Sequence, residues 1–197
     1  MKRALLLLAI LGCKKDSNPH PVPVSAPAKQ AEAVDFRSKH TLTSTAKGSA
    51  FELADGTGEF HITLPNQPKL QADMMSQSGV EVWNAQAVMP GTDVDVQFGA
   101  MTVPDGDLPP DLTQLEAIPA QLASAVGGAM TKNEAGTLAG APARIFELTT
   151  ADKRRMFGWY LMDHGHARVF QINCVGEDTE KTRTACGAVA SSFSLGT

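Results

Sequence analysis

Positive charge is scarce in this chain: 17 lysines and arginines stand against 21 aspartates and glutamates, for a net charge of −4. A nucleic-acid binder needs a basic stripe that displaces counterions from phosphates, so no nucleic-acid partner is expected. The same balance offers little to anionic lipid headgroups. Catalytic signatures are missing as well. There is no Gly-x-Ser-x-Gly elbow, no His-Glu-x-x-His, no phosphate-cradling glycine loop and no Cys-x-x-Cys. The chain is therefore read as a non-enzyme, with no catalytic residues and no cofactor. Cysteine is limited to three residues and tyrosine to one. Trp83, Trp159 and Tyr160 are read as core residues rather than a ligand platform, and the eight methionines as adaptable core filler.

What is present begins at the N-terminus. Lys2 and Arg3 precede an apolar run, Ala4 to Leu11, of eight residues. A spanning helix needs about 20, whereas an export signal has this short, positively flanked form. The ending Ile10-Leu11-Gly12-Cys13 resembles the lipobox of bacterial lipoproteins. That resemblance implies a signal peptide over residues 1–12, cleavage before Cys13, and lipidation of Cys13 as the new N-terminus. Each buried methylene of an acyl chain contributes roughly 0.8 kcal/mol, and stable anchoring takes more than one chain, a condition that a lipoprotein meets. The expected partner on this side is thus the membrane, held through lipid. Lys14 stands where an aspartate would resemble an inner-membrane retention signal. The expected address is the cell envelope, at the outer membrane and on its periplasmic side.

Residues 13–47 are read as a lipidated, Pro/Ala-rich disordered tether. Pro19, Pro21, Pro23 and Pro27 alternate with small residues, and proline fixes φ and removes a donor. Roughly 35 residues of such chain reach about 30–35 Å on average. The folded domain is expected over residues 48–197. Phe51 and Leu53, then Phe60, Ile62 and Leu64, alternate with polar residues around Asp55-Gly56, the pattern of a hairpin. Pro65 and Pro68 end it, and His61 falls on its wetter side. Gly79 to Val88 and Asp93 to Val103 read as a second hairpin, with Asp93, Asp95 and Gln97 on the face opposite Val94, Val96 and Phe98. Asp105 and Asp107 lack the later glutamate of a calcium loop. Asp111 is a candidate N-cap for an apolar helical stripe through Leu112, Leu115, Leu122 and Val126, interrupted at Pro119 and ended by Gly127-Gly128.

Three strands are expected next, over Gly136 to Thr149, Lys153 to Asp163 and Ala167 to Val175. In Met156 to Met162 both alternating sets are apolar, so that strand is expected to be central and covered on both faces. A helix follows from about Asp178 to Ser192. Cys174 and Cys186 form an even pair once Cys13 is lipidated, and an oxidising compartment favours a bridge between them. Two buried free thiols are the alternative.

Three stretches carry a family resemblance: Glu59-Phe60-His61-Ile62-Thr63-Leu64-Pro65, Gly140-Ala141-Pro142-Ala143 and Ser191-Ser192-Phe193-Ser194-Leu195. With the order of elements around them, residues 48–197 resemble the exported domains related to PsbP, the extrinsic subunit of photosystem II, and to DcrB-type bacterial lipoproteins. The resemblance implies an α+β fold, an antiparallel β-sheet of about six to seven strands flanked by helices. It also implies a docking or accessory module without catalytic residues. It carries over no functional residue.

One constellation remains. Asp163, His164 and His166 lie around Gly165 at an expected hairpin tip, and imidazole and carboxylate are ligands for zinc or copper. Two histidines at i and i+2 give a two-point grip. Two readings follow for function: an anchored, non-catalytic module docking on another envelope protein, or a periplasmic binder of a small ligand or metal ion.

Overall fold

The computed structural model describes residues 33–35, 41–55, 58–75, 80–102 and 112–196. The signal-like stretch, Cys13, Asp105, Asp107 and Asp111 lie outside the described residues, as does the side chain of Trp83. In chain order the strands are β1 (Ala33–Asp35), β2 (Thr41–Lys47), β3 (Ala50–Asp55), β4 (Phe60–Leu64), β5 (Lys69–Met75), β6 (Val80–Val88) and β7 (Asp95–Thr102). A 3-10 turn (Leu112–Leu115) and helix α1 (Ala117–Ala125) follow. Then come β8 (Ala129–Leu138), β9 (Ala141–Thr149), β10 (Arg155–Asp163), β11 (Arg168–Gly176), helix α2 (Glu180–Ser191) and β12 (Ser194–Leu195). The fold is α+β, with two antiparallel sheets among the described residues: five strands in the order β1-β2-β3-β4-β12 and seven in the order β5-β6-β7-β11-β10-β9-β8.

The smaller sheet begins earlier in the chain than the sequence pattern places the domain. Within residues 13–47, read as tether, Thr41–Lys47 forms β2 and pairs with β3 from Lys47↔Ala50 to Leu42↔Asp55. The Thr-rich run Thr41 to Thr45 suits an extended strand. Gly48, with φ 64°, is the turn of that hairpin rather than the edge of the fold. The next hairpin, β3 to β4, falls where the alternation of Phe51, Leu53, Phe60, Ile62 and Leu64 puts it. At the C-terminus β12 adds to β4, with Ser194 opposite His61 and Leu195 opposite Phe60.

In the larger sheet, the expected hairpin of β6 and β7 is present, and β5, unread in the sequence, pairs with β6 at the sheet's edge. Gly136 to Thr149, read as one strand, is split. Ala139 (φ 52°) and Gly140 (φ 78°) both take positive φ, and Leu138 faces Ala141, the two-residue type I′ turn that joins β8 to β9. Alanine masks this turn in the sequence because its side chain disfavours positive φ.

The expected interior strand is interior. β10 lies between β9 and β11, and its buried side chains alternate between two covered faces. On the inner face Phe157 and Leu161 join Phe98, Phe170, Ile172 and Cys174 against Leu53, Phe60, Ile62 and Leu64 of the smaller sheet and Cys186, Val189 and Phe193 of the α2 region. Phe60 sits among three rings, with centroids 5.1 Å from Phe98, 5.2 Å from Phe170 and 6.4 Å from Phe193. On the outer face Met156, Tyr160 and Met162 are buried with Phe146 and Leu148, and Leu115, Leu122 and Ala123 of the 3-10 turn and α1 are buried too.

Pro119 sits in the first turn of α1, where its missing N–H breaks no helical bond. The interruption expected there is thus a short turn followed by a helix. α1 ends as the paired glycines foretell: Gly127 takes φ 60°, its N–H reaches the Ser124 carbonyl and the Gly128 N–H reaches that of Ala123, a Schellman cap. α2 starts at the N-cap Thr179, whose hydroxyl accepts the Thr182 N–H at 3.1 Å. No helix among the described residues is long and apolar enough to cross a membrane.

Candidate functional site

The β10–β11 hairpin closes with Asp163 opposite Arg168, leaving residues 164–167 as its loop. Asp163 is 9 % exposed. Its Oδ1 accepts the Gly165 N–H at 2.9 Å, and its Oδ2 lies 2.6 Å from His166 Nδ1. A short aspartate at the end of a strand commonly bonds the backbone two residues on in this way. His166 is half-buried and His164 exposed. The structure thus joins Asp163 to His166 and leaves His164 outside that pair. Among the described residues no group of three or more His, Cys, Asp or Glu side chains converges to hold a metal. Opposite Asp163, Arg168 is 1 % exposed and places Nη2 2.7 Å from Glu59 Oε2, tying this end of the large sheet to the entry of β4.

Cys174 and Cys186 are bridged, with Cα atoms 5.6 Å apart, and both are fully buried. The bond fastens α2 to β11 in the middle of the large sheet.

At the end of the sheet away from the β10–β11 tip, the β6–β7 loop and the start of α2 enclose an open cleft of about 540 Å³, lined in part by Met89, Thr92, Asp93, Glu177, Thr179 and Lys181. Sequence reasoning does not mark this cleft, because its walls come from segments roughly 85 residues apart and no local pattern announces them. Asp95, expected on the wet side of a strand, accepts from Arg154 at 3.3 Å; Arg154 also reaches Asp93 and the Val175 carbonyl.

Three further arginines are engaged between elements. Arg155 bonds Asp178 at 2.8 Å, and this guanidinium holds the Asp178 carboxyl below the usual carboxylate range. Arg183 of α2 bonds Glu147 of β9 at 2.8 Å, which raises the guanidinium pKa, and stacks 5.0 Å from the Phe157 ring centroid. Arg144 pairs with Glu116. Tyr160 lies beneath the outer face, where burial pushes its phenol up to about 12 against the lowering effect of a hydrogen bond from Asn173. A phenol so placed stays neutral at physiological pH and offers no base.

No protein-family model matches the chain, and no curated protein matches it. Among solved structures it is similar to the solution structure of cyanobacterial PsbP (CyanoP) from Synechocystis sp. PCC 6803, at 14 % identity and a TM-score of 0.54, over 77 % of this chain and 95 % of that one. It is also similar to the immunity protein TplEi of the T6SS of Pseudomonas aeruginosa, solved with the "L" peptide, at 9 % identity and a TM-score of 0.42, over 83 % and 77 % of the two chains. The first likeness is one of fold, and the fold is PsbP-like. The second, at that score, adds no argument.

Proposed function

We propose that this chain is an exported lipoprotein, acylated at Cys13 and held at the periplasmic side of the outer membrane, whose folded body docks on another envelope protein as a non-catalytic accessory module. The observation that carries the anchor is Lys2-Arg3, the short apolar run and Ile10-Leu11-Gly12-Cys13. Support for a docking body comes from its polar groups. Each of the five arginines among the described residues is tied to a carboxylate from another part of the fold, so charge here braces a scaffold.

Two measurements on the full chain in bacterial cells test this reading. Wild type is expected in the membrane fraction and Cys13→Ala outside it. Cross-linking in intact cells followed by capture is expected to recover one recurring envelope protein. An unchanged membrane fraction for Cys13→Ala removes the anchor, and repeated capture of nothing above background removes the docking role.

A second reading, a periplasmic binder of a small ligand or metal ion, is favoured by the contact between Asp163 and His166 and by the open cleft beside α2.

A further inference from the structure

We propose that β8 (Ala129–Leu138), at one edge of the seven-stranded sheet, pairs antiparallel with β8 of a second copy of this chain, in a two-fold register centred on Asn133. The dimer is independent of both readings above, since it uses neither the anchor, the cleft nor the hairpin tip.

β8 ends the strand order of its sheet. One side of it is bonded to β9, and among the described residues no strand pairs with the other side. Such an edge presents a row of backbone N–H and C=O groups that a further strand can take up. This one is both long and exposed: of its residues only Leu138 is buried, while Thr131, Asn133, Glu134, Ala135 and Thr137 are exposed. The strand is largely polar, so main-chain bonds rather than apolar burial supply the affinity.

Charge complementarity names the occupant. Lys132 and Glu134 flank Asn133 on one face of the sheet, with Nζ 2.7 Å from Oε1 and side chains 40 % and 53 % exposed. Antiparallel pairing about Asn133 sets Lys132 opposite Glu134 of the second copy, and Glu134 opposite its Lys132. Each carboxylate then meets an ammonium group across the interface as well as the one on its own strand. Centring the pair on Lys132 or on Glu134 instead sets like charges face to face, which is unfavourable. The charges thus select the register while the ladder holds it. The bulge between Met130 and Lys132, where the Thr131 hydroxyl donates to the Glu147 carbonyl at 3.1 Å, interrupts the regular edge on one side of Asn133. The shared ladder is therefore short, and the dimer is expected to be weak and reversible.

The test is sedimentation equilibrium of the purified full chain in density-matched detergent. Wild type is expected to associate reversibly to a dimer. Lys132→Glu and Glu134→Lys are each expected to weaken that association about tenfold, because two opposite-charge pairs become two like-charge pairs. An equimolar mixture of the two variants is expected to dimerise again. Each variant keeps like charges on its own strand, so only pairing across strands restores the association. Disulfide trapping in cells supplies a second readout. Asn133→Cys is expected to give a cross-linked dimer, since the register sets the two copies of that residue about 4.5–5.5 Å apart at Cα, within disulfide reach. Thr137→Cys, far from its own copy in that register, is expected to give none. A wild type that stays monomeric at every concentration overturns the dimer, and a mixture that associates no better than its components overturns the register. Asn133→Cys trapped with another envelope protein, or not trapped at all, overturns the second copy as the occupant of the edge.

Discussion

The two faces of the seven-stranded sheet solve the same burial problem with different chemistry. On the inner face four phenylalanines, Phe60, Phe98, Phe170 and Phe193, pack ring against ring beside a buried disulfide. On the outer face the rows are mixed. Phe146 lies 5.2 Å from the Tyr160 ring, Asn173 is buried beside them, and Gln171 covers the space over Gly99. The middle of the inner face is closed by a whole second sheet and a helix, so an unpaired polar atom there would lose water without replacement; at the hairpin end the buried Arg168 is met by Glu59. The outer face is closed by a shorter helix and its own polar side chains, and tolerates polarity as far as those groups meet one another. Stability is therefore expected to be concentrated on the inner face, and pH sensitivity on the outer one.

The largest expected effect is on the inner face. Phe60→Ala removes the ring that three others share and is expected to cost about 3–5 kcal/mol, read as a lower urea midpoint. A smaller loss would mean that the sheets close over the gap. Next comes Cys174→Ala/Cys186→Ala, whose crosslink closes a segment with sequence separation 12. Its removal is expected to cost roughly 3 kcal/mol, with β11 amides near the bond exchanging faster with solvent.

The outer face is tested through alkaline titration. Tyr160 is raised to about 12, above the value near 10 of an exposed phenol. The folded state therefore keeps its proton where the unfolded state has lost it, and stability falls as pH rises through that interval. Below pH about 10 this residue adds no pH dependence. Between pH about 10 and 12 it is expected to remove roughly 2–3 kcal/mol, a slope that Tyr160→Phe abolishes. On the same face a side chain at Gly158 would land on the Phe146 ring, so Gly158→Ala is expected to cost about 1–3 kcal/mol by overpacking. The smallest effect is a gain. Ala139→Asn, at φ 52°, suits the turn better and is expected to add about 0.5–1 kcal/mol; a loss there would contradict the type I′ assignment.

How much of the fold is legible in the sequence follows from where periodicity is unambiguous. Met156 to Met162, apolar in both alternating sets, mark an interior strand by pattern alone. The separate echoes Glu59 to Pro65 and Ser191 to Leu195 lie side by side as β4 and β12, and Ser192 Oγ accepts the Thr63 N–H at 3.0 Å. Edge elements are harder to read. β8 is mostly exposed and carries no apolar alternation, and its turn is disguised by Ala139. The threonine-rich β2 reads equally well as tether, because what makes it a strand is the partner β3 beside it. At the hairpin tip, sequence brings together the residue types but not their roles, since only the geometry separates Asp163, behind the imidazole, from His164, exposed on the loop.

The role proposed for the chain rests most directly on its N-terminus. Intact-mass and N-terminal peptide mass spectrometry of the protein purified from the cell membrane fraction is expected to find a chain that begins at Cys13 and carries acyl mass on that residue. A chain that still begins with Met1, or a Cys13 without lipid, would contradict it.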